Sequence, residues 1–414
     1  MQQRGGDGMA EVKVIIGANF GDEGKGLMSD YFAAEAAAQG VKALVVCSNG
    51  GAQRGHTVVT PRGERHVFHH FGSGTLAGAD TWLPRYYILN PIMFMDEYEE
   101  LIRIETRAGY ALKRGAEGIR VYLDPDSPVT TPYDMIVNQI IEQQRGEARH
   151  GSCGVGIWET LIRNGKTLGE MCDLTDAELI KYLTCTCKEY MYDRLRALGV
   201  EDIPKEWRDI IEDEGLARNY IQDFRLMVNL CEIADISVMN YYDRIIFENG
   251  QGLLLDRCRK EYGCNTTPSN TGIRNPAELI REYMHVRRDA AETRHGSRDI
   301  MDVEVCYVTR TYLTRHGAGR FDEECDKADI NPDMVDLTNV PNPYQGTIRY
   351  GKLEERALLR RVREDFDSER FPEECEAHMS IALTHLNEYD CLLNKEADYI
   401  SDGETREKIH CIKA

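Results

Sequence analysis

The chain has 414 residues, of which 42% are hydrophobic and 29% charged, and its formal net charge is −20. This is an ordinary soluble composition, long enough for a substantial core, and its acidity argues against a nucleic-acid partner, which would need a basic face. Thirteen cysteines, with no Cys-x-x-Cys pair, read as reduced thiols in a cytoplasmic protein rather than as a disulfide framework or a zinc site.

Residues 1–10, "MQQRGGDGMA", lack the apolar centre of a signal peptide and read as a disordered leader. No apolar run reaches the roughly 18 residues a membrane span needs, so no membrane association is expected. Residues 12–17 are a short apolar run ending at glycine, the pattern of a buried strand. Residues 25–39, rich in alanine and stopped by Gly40, predict a helix, and 43–47 predict a second buried strand. Strand, loop, helix and strand make a βαβ unit and hence a parallel sheet. Further buried strands are expected at 244–248, 303–309 and 379–383, helices across roughly 170–240, and more helices at 276–287 and 353–363. No linker or repeat divides the chain. The expected architecture is α/β: one large domain over 11–414, with a mainly parallel central sheet, a phosphate-loop-like nucleotide-binding core and helical insertions.

Three loops at strand ends carry the chemistry. The first, "GDEGKG", runs from Gly21 to Gly26. It lacks the outer glycine and the Ser or Thr of the standard phosphate loop. It still places flexible backbone and Lys25 at a helix N-terminus, where N–H groups bind anions. On its residues alone it reads equally as a glycine-rich turn with solvated charges. The second, "NGGAQRGHTVV" (residues 49–59), sets His56 in a glycine-rich loop at a strand's carboxyl end, where open α/β sheets bind ligands. The third, "FENGQGLLLD" (247–256), puts Gln251 between glycines. An amide there can read a base edge or bond its own turn.

These stretches, in this order, resemble the adenylosuccinate synthetase family, whose pattern runs "WGDEGKG", "GGxNAGHT", "FEGAQGxxLD", "SSNT" and "TRVGAGPF". The chain has "FGDEGKG", "GGAQRGHT", "FENGQGLLLD", "TTPSNTG" and "TRHGAGRF". The resemblance implies a ligase that joins IMP, or a related 6-oxopurine nucleotide, to L-aspartate through a 6-phosphoryl intermediate, driven by GTP or ATP with Mg²⁺. It implies Asp22 as general base and His56 as acid, with Asp22 and the Gly55 carbonyl on the metal. Gly21, Glu23, Gly24, Lys25, Gly26, Thr57, His385, Asn387, Ser401 and Gly403 fall on triphosphate-binding positions. Gln53, Cys153, Arg163, Gln251 and Thr266 fall on monophosphate-binding positions, and Thr347 and Arg349 on the amino-acid loop. Arg163 would reach the nucleotide of a neighbouring subunit, which implies a homodimer with shared sites.

The chain departs from the family at informative places. Family Asn and Ala become Gln53 and Arg54, a phosphate-binding Thr becomes Cys153, and one arginine of four, Arg349, remains in the amino-acid loop. The family's "TKLD" becomes "THLN" at 384–387, so that Asn387 stands where an aspartate reads guanine. An amide donates as well as accepts and suits an adenine edge, so ATP or dATP is an expected alternative donor. A changed purine or amino acid, or a non-catalytic nucleotide-binding regulator, are the other readings.

Overall fold

The apolar run near the start of the chain becomes the strand Glu11–Gly17, with Val12, Val14, Ile15 and Ile16 fully buried. The structure, a computed structural model, describes residues 11–108, 120–146, 150–291, 300–334 and 347–412; the expected leader lies outside the described residues. Val12, Val14 and Ile16 pack with Phe247, Val303 and Val305 on one face of the sheet, while Ile15 packs with Val45, Ile246 and Cys306 on the other. Side chains alternate across a strand, so a sheet covered on both faces needs the unbroken apolar runs seen in the sequence.

Among the described residues the central sheet has ten strands, in the order Ile409–Cys411, Tyr399–Ser401, Cys375–Thr384, Met301–Arg310, Glu11–Gly17, Arg244–Gly252, Ala43–Val46, Asp80–Leu83, Val121–Leu123 and Glu232–Ile233. Every neighbouring pair is parallel except the edge pair Tyr399–Ser401 and Ile409–Cys411. The first strand lies inside the sheet, and the chain leaves it towards one edge and later returns to build the other. Its carboxyl end is therefore a topological switch point, where such sheets bind ligands.

One charge sits among the apolar strands. Lys13 is buried, and its Nζ lies 2.8 Å from Glu304 on the adjacent strand and 2.5 Å from Glu11. Ser380 donates to the same Glu304 from the next strand, at 2.6 Å. A buried charge is tolerated only when paired and hydrogen-bonded.

The helix Lys25–Ala38 starts after Gly24, whose φ of +96° favours glycine, and ends within a residue of its expected stop. The helices expected over 170–240 form a cap on one side of the sheet, chiefly Lys188–Ala197, Lys205–Glu212 and Glu214–Leu230. All thirteen cysteines are free. No helix among the described residues is long and apolar enough to cross a membrane.

Candidate active site

The first strand delivers its chain into the "GDEGKG" loop through Gly17. A Cβ at Gly17 would lie 2.4 Å from Glu23 Oε2 and 2.7 Å from Lys25 Nζ, so the loop can fold back only over a glycine. Glu23 is buried and turned inward. One carboxylate oxygen accepts from the amides of Asn19 (3.0 Å) and Gly21 (2.8 Å), and the other from Lys25 Nζ at 2.7 Å. This resolves the oddity of an acidic phosphate loop: Glu23 shapes the loop and holds the ammonium in place. Strand pairing shifts register between Ile15 and Gly17, an irregularity that opens the sheet beside the loop.

Asp22 points the other way, with φ at +60°. Its Oδ2 lies 3.2 Å from His316 Nε2, and its backbone carbonyl accepts from Arg310. Burial alone would raise this carboxyl. The hydrogen bond and charge of His316, with Arg310 and Lys25, outweigh burial and hold it down at about 2, so the group is an anion at neutral pH.

His56 begins the hairpin His56–Val59 and Arg65–Phe68. Its Nδ1 bonds Glu248, which is fully buried midway along the central strand Arg244–Gly252 and also accepts from the Ser73 amide at 2.9 Å. Burial works against the Glu248 anion, but Arg54, His56 and Ser73 bring it down to about 2. A carboxylate only accepts, so Nδ1 carries the hydrogen and Nε2 is left facing the cleft side as an acceptor. Burial pushes His56 down to about 4 against the pull of Glu248.

Asp22, Glu23, Gly24, Lys25, Gly26, Gly55, His56, Thr57, His385, Asn387 and Gly403 line one cavity of about 440 Å³. Leu27, Val59, Arg65, Arg310, Met334, Glu388 and Glu404 complete it. Ser401 stands behind this wall, donating to the Gly403 carbonyl at 2.8 Å. Thr384 ties the last long strand to the first loop, donating to the Glu23 carbonyl at 2.8 Å. A pairing of Val59 with Thr405 joins the His56 hairpin to the loop at Gly403.

Gln53 and Gln251 meet over Gly50: a Cβ there would lie 3.6 Å from Gln53 Nε2 and 3.5 Å from Gln251 Oε1. Both amide atoms of Gln53 and Oε1 of Gln251 are buried without a hydrogen-bond partner. Each such group costs about 1–3 kcal/mol if it stays unsatisfied, which marks the place as one built for a polar ligand. Gln251 is held at φ +58°, a backbone cost consistent with aiming a side chain. Cys153 lies beside Ala52, Val155 and Ile157, and burial, with the Asp22 charge nearby, pushes its thiol up to about 12.

Other expected residues lie elsewhere. Thr266 sits half-buried next to Asn265, whose carbonyl accepts from Arg315 at 3.1 Å. Thr347 is exposed, and the start of its loop falls outside the described residues. Arg349 pairs with Glu324 and donates to the Gly319 carbonyl at 2.9 Å, on a small sheet of Leu313–Arg315, Arg349–Gly351 and Glu324–Cys325. Arg163 is not at the cavity. It makes a bidentate pair with Asp134 (2.8 and 2.9 Å) and donates to the Val129 carbonyl and the Tyr182 hydroxyl, both at 2.8 Å. The guanidinium is thus engaged inside its own subunit.

Sequence reasoning passed over Glu248, Arg310 and His316. Glu248 carried a usable signal, a lone carboxylate closing an apolar strand run in "RIIFE". His316 carried one too, as the histidine that replaces the family's valine in "TRHGAGRF", whereas Arg310 carried none, because only the fold brings it to Asp22.

Hard oxygen donors at Asp22 and Gly55 on one cleft suit Mg²⁺, which takes one or two protein oxygens and fills its sphere with phosphate and water. No cluster of three or more His, Cys, Asp or Glu able to hold a metal occurs among the described residues.

The sequence profile of the adenylosuccinate synthetase family matches residues 14–339. Similar curated proteins include the adenylosuccinate synthetases of Alkaliphilus metalliredigens and Chromohalobacter salexigens, each 27% identical over 328 residues and 76% of this chain. The chain spans 65% of the length of these two relatives. Among solved structures, a fully ligated adenylosuccinate synthetase from Plasmodium falciparum superposes with a TM-score of 0.63 at 18% identity, covering 98% of this chain and 100% of that one. The succinoaminodeoxyadenylate synthetase of cyanophage S-2L, bound to dGMP and to dATP as an energy donor, superposes with a TM-score of 0.60 at 14% identity, covering 97% and 95%. With a profile match over most of its length and the family's fold, the chain belongs to the adenylosuccinate synthetase family.

Proposed function

We propose that the protein is a purine nucleotide ligase joining a 6-oxopurine nucleoside monophosphate to L-aspartate, driven by a nucleoside triphosphate. The observation that carries this reading is the placement of an ionised Asp22 and an oriented His56 in the cleft that Lys25 enters. A protein that only bound nucleotide would gain nothing from a buried base and a carboxylate-oriented imidazole.

Asp22 takes the proton from N1 of the purine, and O6 becomes the nucleophile towards the γ-phosphorus. The bond from that phosphorus to the bridging oxygen breaks, and the nucleoside diphosphate leaves. The amine of aspartate then attacks C6 and expels phosphate. Lys25 and the loop amides hold the phosphates, and His56, once protonated at Nε2 under the pull of Glu248 and the arriving phosphate charge, donates to the transferring group. Gln53 and Gln251 take the purine base as their missing partner. Magnesium, held by Asp22 and Gly55, would neutralise phosphate charge when bound. The test is phosphate release with IMP, dIMP, GMP or dGMP, aspartate, and ATP or GTP. No release with any combination would remove the reading.

Glu248→Gln is expected to lower kcat by about 10²–10⁴-fold, because an amide no longer fixes the imidazole tautomer. KM for the triphosphate should change little. An unchanged kcat would show that the His56 orientation does not matter to turnover.

A second reading concerns the donor. Asn387 and His385 line the cavity where the family has aspartate and lysine. Against guanine N1–H and the 2-amino group, an amide N–H₂ meets donors, at a cost of about 1–3 kcal/mol. ATP or dATP is therefore expected to rival GTP. A GTP preference in kcat/KM above about tenfold, or 1.4 kcal/mol, would overturn this.

The assembly we propose is a homodimer. Trp158, Leu161 and Ile162 are 47%, 36% and 44% exposed on one face of the helix Ile157–Arg163, a patch that a second copy would cover. Contact of Arg163 with the partner's nucleotide would first require its release from Asp134. Sedimentation of wild type and Ile162→Glu tests the dimer: a monomeric wild type excludes it.

A further inference from the structure

The loops at 150–153 and 258–271 meet at a contact that the reaction above does not use. Cys264 Sγ lies 3.5 Å from His150 Nε2, and its other polar neighbour is Asn265 Oδ1 at 4.0 Å. The imidazole sits on a fixed backbone. The Glu142 carboxylate accepts from the Gly151 amide at 2.9 Å and the Ser152 amide at 3.3 Å, and the His150 carbonyl accepts from Ala318 at 3.3 Å. A Cβ on Gly151 would lie 2.6 Å from Gly317 Cα, so the His150 loop also rests directly on the backbone of a third loop at Gly317 and Ala318.

Burial, with Arg145 nearby, holds His150 below its ordinary value against the opposing charge of Glu142. That shift weakens the imidazole as a base, but at 3.5 Å a forming thiolate offsets the cost of the imidazolium charge, and the thiolate is the reactive form. The remaining cysteines differ. Burial pushes Cys47 and Cys153 up to about 12 and Cys187 up to about 11. Cys185, Cys258 and Cys411 are exposed like Cys264 but have no imidazole at hydrogen-bond distance among the described residues.

We propose that Cys264, paired with His150, is a nucleophilic thiol and a modification site for hydrogen peroxide. The Sγ proton passes to His150 Nε2. The thiolate attacks one peroxide oxygen, so that an S–O bond forms and the O–O bond breaks. Sulfur is oxidised by two electrons to the sulfenic acid, and hydroxide leaves. Hydroxide then takes the proton from the imidazolium, giving water and restoring His150. The added oxygen is too large for the 3.5 Å contact and would push the two loops, which carry Cys153 and Thr266, apart.

The intact protein is treated with hydrogen peroxide, sulfenic acid is trapped with dimedone, and labelled peptides are mapped. Cys264 is expected to label at least about tenfold faster than Cys185, Cys258 and Cys411 in the same molecule, as an imidazole-activated thiol should. In His150→Gln and His150→Ala that advantage should vanish while the three reference cysteines keep their rates. Equal labelling of all four exposed cysteines in wild type, or an undiminished advantage in folded His150 variants, overturns the proposal. Labelling of buried Cys47 reports unfolding of a variant, and the wild-type ratio then decides alone.

Discussion

Asp22→Asn is expected to abolish phosphate release, by at least about 10²–10⁴-fold, the scale of a lost general base. The substitution is a clean one. Asparagine keeps the shape of aspartate and is among the few side chains that tolerate a φ of +60°. Alanine would mix backbone strain into the result. The amide oxygen can still accept from His316, across the 3.2 Å now spanned by Oδ2. What is lost is the anion: an amide cannot take a proton from purine N1. Triphosphate affinity should change little, because Lys25 stays anchored by Glu23 and the relief of charge beside the phosphates offsets a weaker hold on magnesium. Calorimetric titration with the triphosphate, set beside phosphate release, separates the two effects. Near-normal turnover in a folded Asp22→Asn protein would remove Asp22 as the base, and the ligase chemistry with it.

Arg163→Ala is expected to cost about 3–5 kcal/mol of stability, the usual result of stranding one partner of a buried ion pair. The side chains of Arg163 and Asp134 are 5% and 1% exposed. Asp134 also closes the capping box of the helix Pro132–Arg145, accepting from the Thr131 amide at 2.7 Å. Without the guanidinium, that carboxylate remains buried with only its cap donors. The Tyr182 hydroxyl and the Val129 carbonyl lose a partner as well. Urea titration gives the loss directly. Arg163→Met combined with Asp134→Asn should recover part of it, since no uncompensated charge is left inside. A loss below about 1 kcal/mol, the worth of an exposed pair, would mean that the guanidinium is free to serve elsewhere.

The long strands were legible in the sequence because burial on both faces leaves unbroken apolar runs. The run at 303–309 became Met301–Arg310, and that at 379–383 became Cys375–Thr384. Asp80–Leu83, Val121–Leu123 and Tyr399–Ser401 escaped notice, since they are short and lack the four consecutive aliphatic residues of Ala43–Val46. The loops at Gly21–Gly26 and at residues 49–59 could be read from glycines beside charged side chains, and the fold brings them to one cleft. The partners of their functional groups could not be read. Glu248 is 192 residues from His56, and His316 is 294 from Asp22. No local pattern records a contact made across a sheet. Arg163 shows the reverse difficulty: a motif supplies its position, and only packing reveals that Asp134, 29 residues earlier, holds it.

The interior place of the first strand has a consequence for synthesis. Its two hydrogen-bonded neighbours begin at Arg244 and Met301, so a ribosome emits more than half of the chain before either edge can be satisfied. Until then Val12–Ile16 is an unpaired apolar ribbon of high β-propensity, the kind of segment that recruits other chains. Lys13 interrupts it. Before Glu304 exists, a charged residue in mid-ribbon opposes stacking on a second copy, as gatekeeper charges do. Lys13→Met combined with Glu304→Gln would remove that protection without stranding a buried carboxylate. The difference should show as inclusion bodies during expression rather than as inactivity in whatever soluble protein is recovered.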